Sequence, residues 1–232
     1  MTTSESSVHH RARTPILLVT VTVVLALLYY FGRADTIGVL SGDRGWQVMT
    51  PGVRSARLHY LLSAVLLGIV PLVVARFACG IRLRELGLGL GRWREGLVWL
   101  AIGVPLAVLA GKIAAGQSAM QAVYPLDPTI GPGWEFLPYA VAAFLYFGSW
   151  EILFRSVLLF GLAPSMGGTS ANAVQTGLAV TAHFGRALNE VFSALPASFV
   201  FGYVTLRVRS IWYVALIHWT VAMSMEWFIL TG

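Results

Sequence analysis

The segment that decides the fold spans residues 136–163 and reads FLPYAVAAFLYFGSWEILFRSVLLFGLA. It is almost entirely apolar and exceeds the roughly 20 helical residues that cross the hydrocarbon core of a bilayer. Its only charged residues are Glu151 and Arg155, and a spacing of four places both side chains on one helix face, where they can pair. Because an ionisable group at this depth is costly unless it is paired or faces a polar cavity, the segment predicts a membrane helix that carries functional groups.

The rest of the chain has the same composition. Hydrophobic residues make up 57% of the 232 residues and charged residues 11%, against roughly a quarter charged in a soluble domain, which excludes a soluble globular enzyme. The pattern predicts an all-α, polytopic transmembrane helix bundle of about seven spans. We place these spans at 15–32, 58–79, 96–115, 136–163, 171–187, 192–208 and 210–230.

Eight of the 16 basic residues fall in short clusters ahead of the first span, between the second and third, and between the sixth and seventh. The loop 33–57, which would be external, fits this pattern less well because it contains four Arg. By the positive-inside rule, this distribution predicts a cytoplasmic N-terminus and a multi-pass protein of the plasma or inner membrane. Nucleic acid is not an expected partner, since no basic stripe interleaved with aromatic residues lies outside the spans. We expect a disordered cytoplasmic tail at 1–14, N-terminal helices and loops at 15–135 and a functional core at 136–232. The glycine-rich stretch 87–91 is expected to be a flexible turn.

Three polar side chains are predicted to converge within the membrane. Counted along the helices from the assumed cytoplasmic ends, Glu151 and His183 lie about 18 Å deep and His218 about 12 Å deep. A carboxylate and two imidazoles are the minimum parts for activating a water and stabilising the oxyanion formed at a carbonyl. The same three residues could instead hold Zn²⁺, so we leave open whether the cofactor is Zn²⁺ or none. Taken alone, Glu151 and Arg155 could also be a buried structural pair.

Around these residues the sequence resembles the CAAX protease and bacteriocin-processing (CPBP, or Abi) family of intramembrane proteases. The first motif, Glu-Glu-x-x-x-Arg in the family, reads Trp150-Glu151-Ile152-Leu153-Phe154-Arg155 here, and the second, Phe-x-x-x-His, reads Ala179-Val180-Thr181-Ala182-His183. The third, His-x-x-x-Asn, appears as His218 followed by Ala222, and Glu85-Leu86-Gly87-Leu88 is a weaker match. The resemblance implies a membrane endopeptidase in which a motif-one glutamate and the motif-two histidine activate water. The motif-three histidine and asparagine would hold the oxyanion.

The chain departs from the family pattern at three positions: Trp150, Ala179 and Ala222 stand where the family has glutamate, an aromatic residue and asparagine. One interpretation is a variant branch in which Glu151 or Glu190 is the base. A continuous helix would place Glu190 two turns beyond His183 on the same face, about 10 Å further along unless the chain turns back. Arg155 would orient Glu151, and Gln175 and Glu226 are candidates for supporting roles.

We therefore predict an intramembrane endopeptidase that hydrolyses a peptide bond of a membrane-anchored protein or peptide. CAAX-like processing, removal of sorting tags and bacteriocin-related processing all fit the resemblance. The alternatives are a catalytically inactive membrane immunity or binding protein and a small transporter, since transporters also place Glu, Arg and His at mid-membrane. The oligomeric state stays open.

Overall fold

A computed structural model describes the backbone of residues 3–31 and 53–232 and the side chains of residues 13–29, 56 and 59–232. All regular structure in these ranges is helical, which confirms the predicted fold class. The α-helices in these ranges are α1 (Thr3–Phe31), α2 (Val53–Ser63), α3 (Val70–Phe77), α4 (Trp93–Ala115), α5 (Ser118–Gln121), α6 (Phe136–Glu151), α7 (Gly161–Met166), α8 (Gly168–Thr181), α9 (Leu188–Val208) and α10 (Trp212–Thr231). Two π-helical segments, Ala64–Ile69 and Ile152–Phe160, join α2 to α3 and α6 to α7.

Five helical stretches of the described residues are long and apolar enough to cross a membrane. They are His59–Phe77, Trp93–Ala115, Phe136–Met166, Leu188–Val208 and Trp212–Thr231. The first predicted span corresponds to a shorter apolar helix, Arg13–Tyr29, within α1. Since α1 begins at Thr3, it also covers most of the stretch expected to be a tail. The count of seven spans and the cytoplasmic N-terminus stay predictions.

The fifth predicted span, 171–187, differs in the structure. Its helix, α8, has 14 residues and ends at Thr181. A turn follows, in which Gly185 has a φ of +88°, a value that residues with a Cβ rarely adopt. The chain then continues into α9, so His183 and Glu190 do not share a helix, and of the two cases left open by the sequence the structure has the one in which the chain turns back.

The π-helical segment Ile152–Phe160 lies at the centre of the largest hydrophobic core. All its residues except Ile152 are buried, and apolar side chains of α1, α3 and α8 pack around it. The segment directly follows Glu151 and contains Arg155, so the predicted functional pair sits at the most enclosed part of the bundle.

The glycine-rich stretch 87–91 is docked against the start of α10, contrary to the expectation of a flexible turn. Backbone oxygens of this stretch accept hydrogen bonds from the Ile211 backbone, the Trp212 indole and the Tyr213 hydroxyl, at 2.7 to 3.0 Å. Gly87 has a φ of +68°, and a Cβ there would collide with Phe160. The stretch therefore holds the segment before α4 against the start of α10, the helix that carries His218 and Ala222 of the third motif.

Helix α4 packs closely along α10. Small residues let two helix backbones approach in a membrane, and three glycines of α4 serve this purpose, since a Cβ on any of them would collide with a side chain of α10. The pairs are Gly96 with Tyr213, Gly103 with Ile217 and Gly111 with Ser224.

Candidate active site

The Glu151 carboxylate, fully buried at the end of α6, joins three helical segments. Its Oε1 atom lies 2.7 Å from Nδ1 of His218 on α10. Its Oε2 atom lies 3.2 Å from Nε of Arg155, and Nη1 of the same guanidinium lies 3.4 Å from Oε1. Arg155 is 2% exposed, and its Nη2 donates to the Ser198 hydroxyl of α9 at 2.9 Å. The predicted pairing of Glu151 with Arg155 thus exists and extends to His218 and Ser198.

The carboxylate partner fixes the tautomer of His218. Glu151 can only accept when ionised, so Nδ1 of His218 carries the proton. Nε2 does not take part in the hydrogen bond to Glu151, and the ring lines a cavity of about 540 Å³. If Nε2 is also protonated, the imidazolium has Glu151 as its counter-ion and can donate a hydrogen bond into the cavity.

His183 reaches the same cavity from the turn between α8 and α9. Its Nδ1 lies 2.7 Å from the Ala179 carbonyl oxygen, which can only accept, so Nδ1 carries the proton and Nε2 is the acceptor. Burial lowers the pKa of His183 to about 4, although the hydrogen bond to Ala179 opposes this shift. A neutral His183 can therefore accept a hydrogen bond from a cavity water at neutral pH.

Trp150, at the position of the first family glutamate, forms the wall between the two histidines. Its ring centroid lies 5.1 Å from that of His183 and 6.5 Å from that of His218. Trp150 is 5% exposed and also lines the cavity. A buried apolar ring therefore occupies the place where the family motif has a carboxylate.

The chain reversal after α8 brings Glu190 to the cavity that contains both histidines. Its Oε1 lies 3.4 Å from Nη1 of Arg186, which also donates to the Tyr124 hydroxyl at 2.6 Å. The offset of about 10 Å expected along one continuous helix therefore does not apply, because the chain turns back between α8 and α9.

Glu151 and Glu190 differ in access to the cavity. Glu190, Arg155, Arg186 and both histidines contribute to its lining, whereas Glu151 does not and lies behind His218 and Arg155. Both Glu151 oxygens face cationic or donor groups within 3.4 Å. Of the two candidate bases, only Glu190 can contact a water in the cavity in this conformation.

Gln175 lies outside the cavity lining and connects α8 to α9. Its Nε2 is 2.7 Å from Oδ1 of Asn172 and 3.2 Å from the Ser198 carbonyl oxygen. The side chain is fully buried. This position supports a role in helix packing. Gln175 contacts the backbone of Ser198, the residue whose hydroxyl accepts a hydrogen bond from Arg155.

Glu226 lines the cavity two helical turns beyond His218. Its Oε2 accepts a hydrogen bond from the Tyr139 hydroxyl at 2.6 Å, and the Tyr139 oxygen accepts one from the Tyr60 hydroxyl at 3.0 Å. All three residues are buried. They join α2, α6 and α10 by a polar chain inside an apolar region.

Sequence reasoning missed three side chains that complete the site: Ser198, Arg186 and Tyr124. Ser198 is one of several small polar residues on α9, and no pattern distinguishes it from those exposed to the surroundings. Arg186 immediately follows Gly185, so the glycine was the available signal for a turn that brings the arginine back to the cavity. Tyr124 lies after α5, and no spacing relates it to the motifs.

The residues proposed for Zn²⁺ do not fit a metal site well. No group of three His, Cys, Asp or Glu side chains in the described part of the chain is arranged to hold a metal ion. Glu151 already interacts with Arg155 and His218. The positive charge of Arg155 would repel a metal ion bound at Glu151. We therefore derive no step through a metal.

Apolar helices thus surround a buried cluster of Glu151, Arg155 and His218 beside a cavity. A family model described as "Rce1-like: Type II CAAX prenyl endopeptidase Rce1-like" matches residues 132–224. The match covers 93 of the 232 residues and confirms, for the segment that carries the site, the resemblance drawn from the three motifs. No curated protein and no solved structure matches the chain.

Proposed function

We propose that the protein is an intramembrane endopeptidase in which Glu190 is the general base. The family assignment supports peptide hydrolysis at the level of reaction class. The observation that carries the assignment of the base is the shared cavity, where Glu190 and both histidines contribute to one wall while Glu151 is enclosed behind it.

In the proposed mechanism, a water is held by Nε2 of His183 and by the Glu190 carboxylate. Glu190 takes a proton from this water as the water oxygen bonds to the carbon of a peptide carbonyl, whose π electrons move to the carbonyl oxygen. His218 donates a hydrogen bond from Nε2 to the resulting oxyanion. The C–N bond then breaks, and the amine leaves with the proton that Glu190 returns.

Glu151 and Arg155 act on this reaction through His218. The carboxylate fixes the ring orientation and tautomer, as buried carboxylates do for catalytic histidines. Arg155, held by Ser198, balances the charge of Glu151. With a protonated His218 this cluster has a net positive charge and favours a developing oxyanion. Ala222 stands where the family has asparagine and cannot donate a side-chain hydrogen bond to the oxyanion. His218 therefore provides the larger part of the oxyanion stabilisation.

The substrate we propose is a membrane-associated protein or peptide, because the cavity is enclosed by helices that are apolar enough to span a membrane. Proteomic comparison of a deletion strain with its parent would identify candidates as membrane proteins that accumulate in uncleaved form. Mass spectrometry of their termini in the parent would define the cleavage site.

The decisive test is cleavage of such a substrate by the purified full chain in liposomes. We expect cleavage by the wild type, and loss of at least about 100-fold in Glu190→Gln and His183→Ala. Glu95→Gln is the matched control, because Glu95 is a carboxylate paired with Arg207 at 3.0 Å and lies outside the cavity lining. Unchanged cleavage in Glu190→Gln would overturn the assignment of the base. Absence of cleavage by the wild type, together with solute flux that both cavity variants abolish, would favour a transporter.

A further inference from the structure

The charges around the cavity do not balance at one end. The two arginines of its lining are each paired with a carboxylate, Arg155 with Glu151 and Arg186 with Glu190. The third carboxylate, Glu226, has no Arg, Lys or His partner among the residues that the structure describes. It is 1% exposed, so water compensates its charge poorly, and a lone buried carboxylate is costly.

The surroundings of Glu226 hold its carboxylate in one orientation. The hydroxyl of Tyr139 donates to Oε2, and Tyr60 supports Tyr139 from α2. Two neutral phenols orient the group but supply no positive charge. Because Oε2 is committed to Tyr139 and the residue lines the cavity, Oε1 is available to a molecule that enters it.

We propose that Glu226 is the centre of a cation subsite that receives a guanidinium or ammonium group of the substrate. A basic side chain would supply the missing counter-charge, and charge-assisted hydrogen bonds of this kind are among the strongest in proteins. Its aliphatic stem would lie along the apolar cavity wall beside Glu226. This wall is formed by Ile113, Ala114, Val221, Ala222 and Met225.

The position of Glu226 defines where the basic residue falls in the substrate. Eight residues separate Glu226 from His218, which corresponds to about 12 Å along the helix. An extended peptide advances about 3.3 Å per residue, so the basic residue lies within about four residues of the cleaved bond. This part of the inference rests on the proposed protease function, whereas the binding of a cation does not.

Binding can be tested without cleavage by titrating the full chain in detergent micelles with n-butylguanidinium chloride, using isothermal calorimetry. The neutral n-butylurea, of similar shape, is the matched ligand control. We expect saturable binding of the cation, at least tenfold weaker binding of the urea, and at least a tenfold loss of cation affinity in Glu226→Gln. Glu95→Gln, which removes a carboxylate that pairs with Arg207 outside the cavity lining, should bind the cation within about twofold of the wild type. Glu190→Gln is titrated in parallel, to show whether the cation binds at that carboxylate instead.

Equal binding of the cation and the urea by the wild type would overturn the proposal. So would undiminished cation binding in Glu226→Gln, or a loss confined to Glu190→Gln, which would locate the cation at the other carboxylate. If Glu226→Gln does not fold, Ala222→Leu replaces it, because the larger side chain would block the approach to Glu226 while leaving the carboxylate in place. If the protein does not cleave the substrate but binds the cation as expected, the proposed protease function is refuted and the cation subsite is supported.

Discussion

The same local pattern, a glutamate and an arginine four residues apart, occurs at both sides of the cavity with different burial. Glu151 and Arg155 are 0% and 2% exposed, whereas Arg186 and Glu190 are 32% and 22% exposed. The N–O distances are similar, 3.2 and 3.4 Å. The difference teaches that spacing alone does not decide which carboxylate of such a pair can contact a molecule in the cavity, since Glu190 lines the cavity and Glu151 does not.

The largest expected effect is on catalysis, from Glu190→Gln. The amide keeps the shape of the side chain but cannot take a proton, so cleavage should fall by about 100- to 10,000-fold. The free energy of unfolding should change by less than about 1 kcal/mol, because a partly exposed ion pair contributes little. Single-turnover cleavage and denaturant unfolding of the same preparation would measure both. A large loss of stability would mean that Glu190, like Glu151, mainly stabilises the folded protein.

The next largest effect is on stability, from Glu151→Gln. This change leaves Arg155 as a buried cation without its counter-charge, which costs about 3–5 kcal/mol in known buried pairs. We expect the midpoint of unfolding in detergent to fall accordingly, with cleavage reduced in the fraction that stays folded. The matched surface variant is Glu85→Gln, whose carboxylate pairs with Arg82 in an exposed position and whose midpoint should shift little. Equal midpoints for both variants would contradict the contrast.

A smaller effect is expected from Ser198→Ala. The hydroxyl accepts from the buried Arg155 guanidinium, and loss of a hydrogen bond to a charged group costs about 1.5–3 kcal/mol. Ser193→Ala is the control on the same helix, since Ser193 is exposed and bonds only to a local backbone oxygen. Unfolding of the two variants under identical conditions should separate them, and similar values would show that Arg155 does not depend on Ser198.

The smallest expected effect is from Tyr124→Phe, which removes the hydroxyl that accepts from Arg186. The Arg186–Glu190 pair stays in place, so the loss should be about one ordinary hydrogen bond, roughly 0.5–1.5 kcal/mol. We expect a decrease in cleavage rate of about two- to tenfold, together with a decrease in the free energy of unfolding of at most about 1.5 kcal/mol. A decrease as large as that of Glu190→Gln would make Tyr124 a direct participant in the reaction.

Much of the fold follows from local sequence pattern. The apolar runs correctly locate the helices, and the four-residue spacing predicts the Glu151–Arg155 pair, because both depend on neighbours along one helix. The separate spans 171–187 and 192–208 predict a break near Glu190, but the turn begins earlier, after Thr181, and its position was missed because no residue spacing marks the end of α8. The docking of the glycine-rich stretch 87–91 was missed too, because its partners at 211–213 are distant in sequence and bond mostly to its backbone.

The wide turns of Ile152–Phe160 have a consequence for how the chain tolerates changes in length. A π-helix pairs residues one position further apart than an α-helix, so this segment accommodates more residues per turn than the helices that flank it. Removing one residue from it would permit an ordinary α-helix there while the helices on either side keep their relative phase. Removing one residue from the regular α-helix α6 would instead rotate the residues on one side of the deletion by about 100° relative to those on the other side. The π-helical segment is thus the place near Glu151 where the chain best tolerates the loss of one residue.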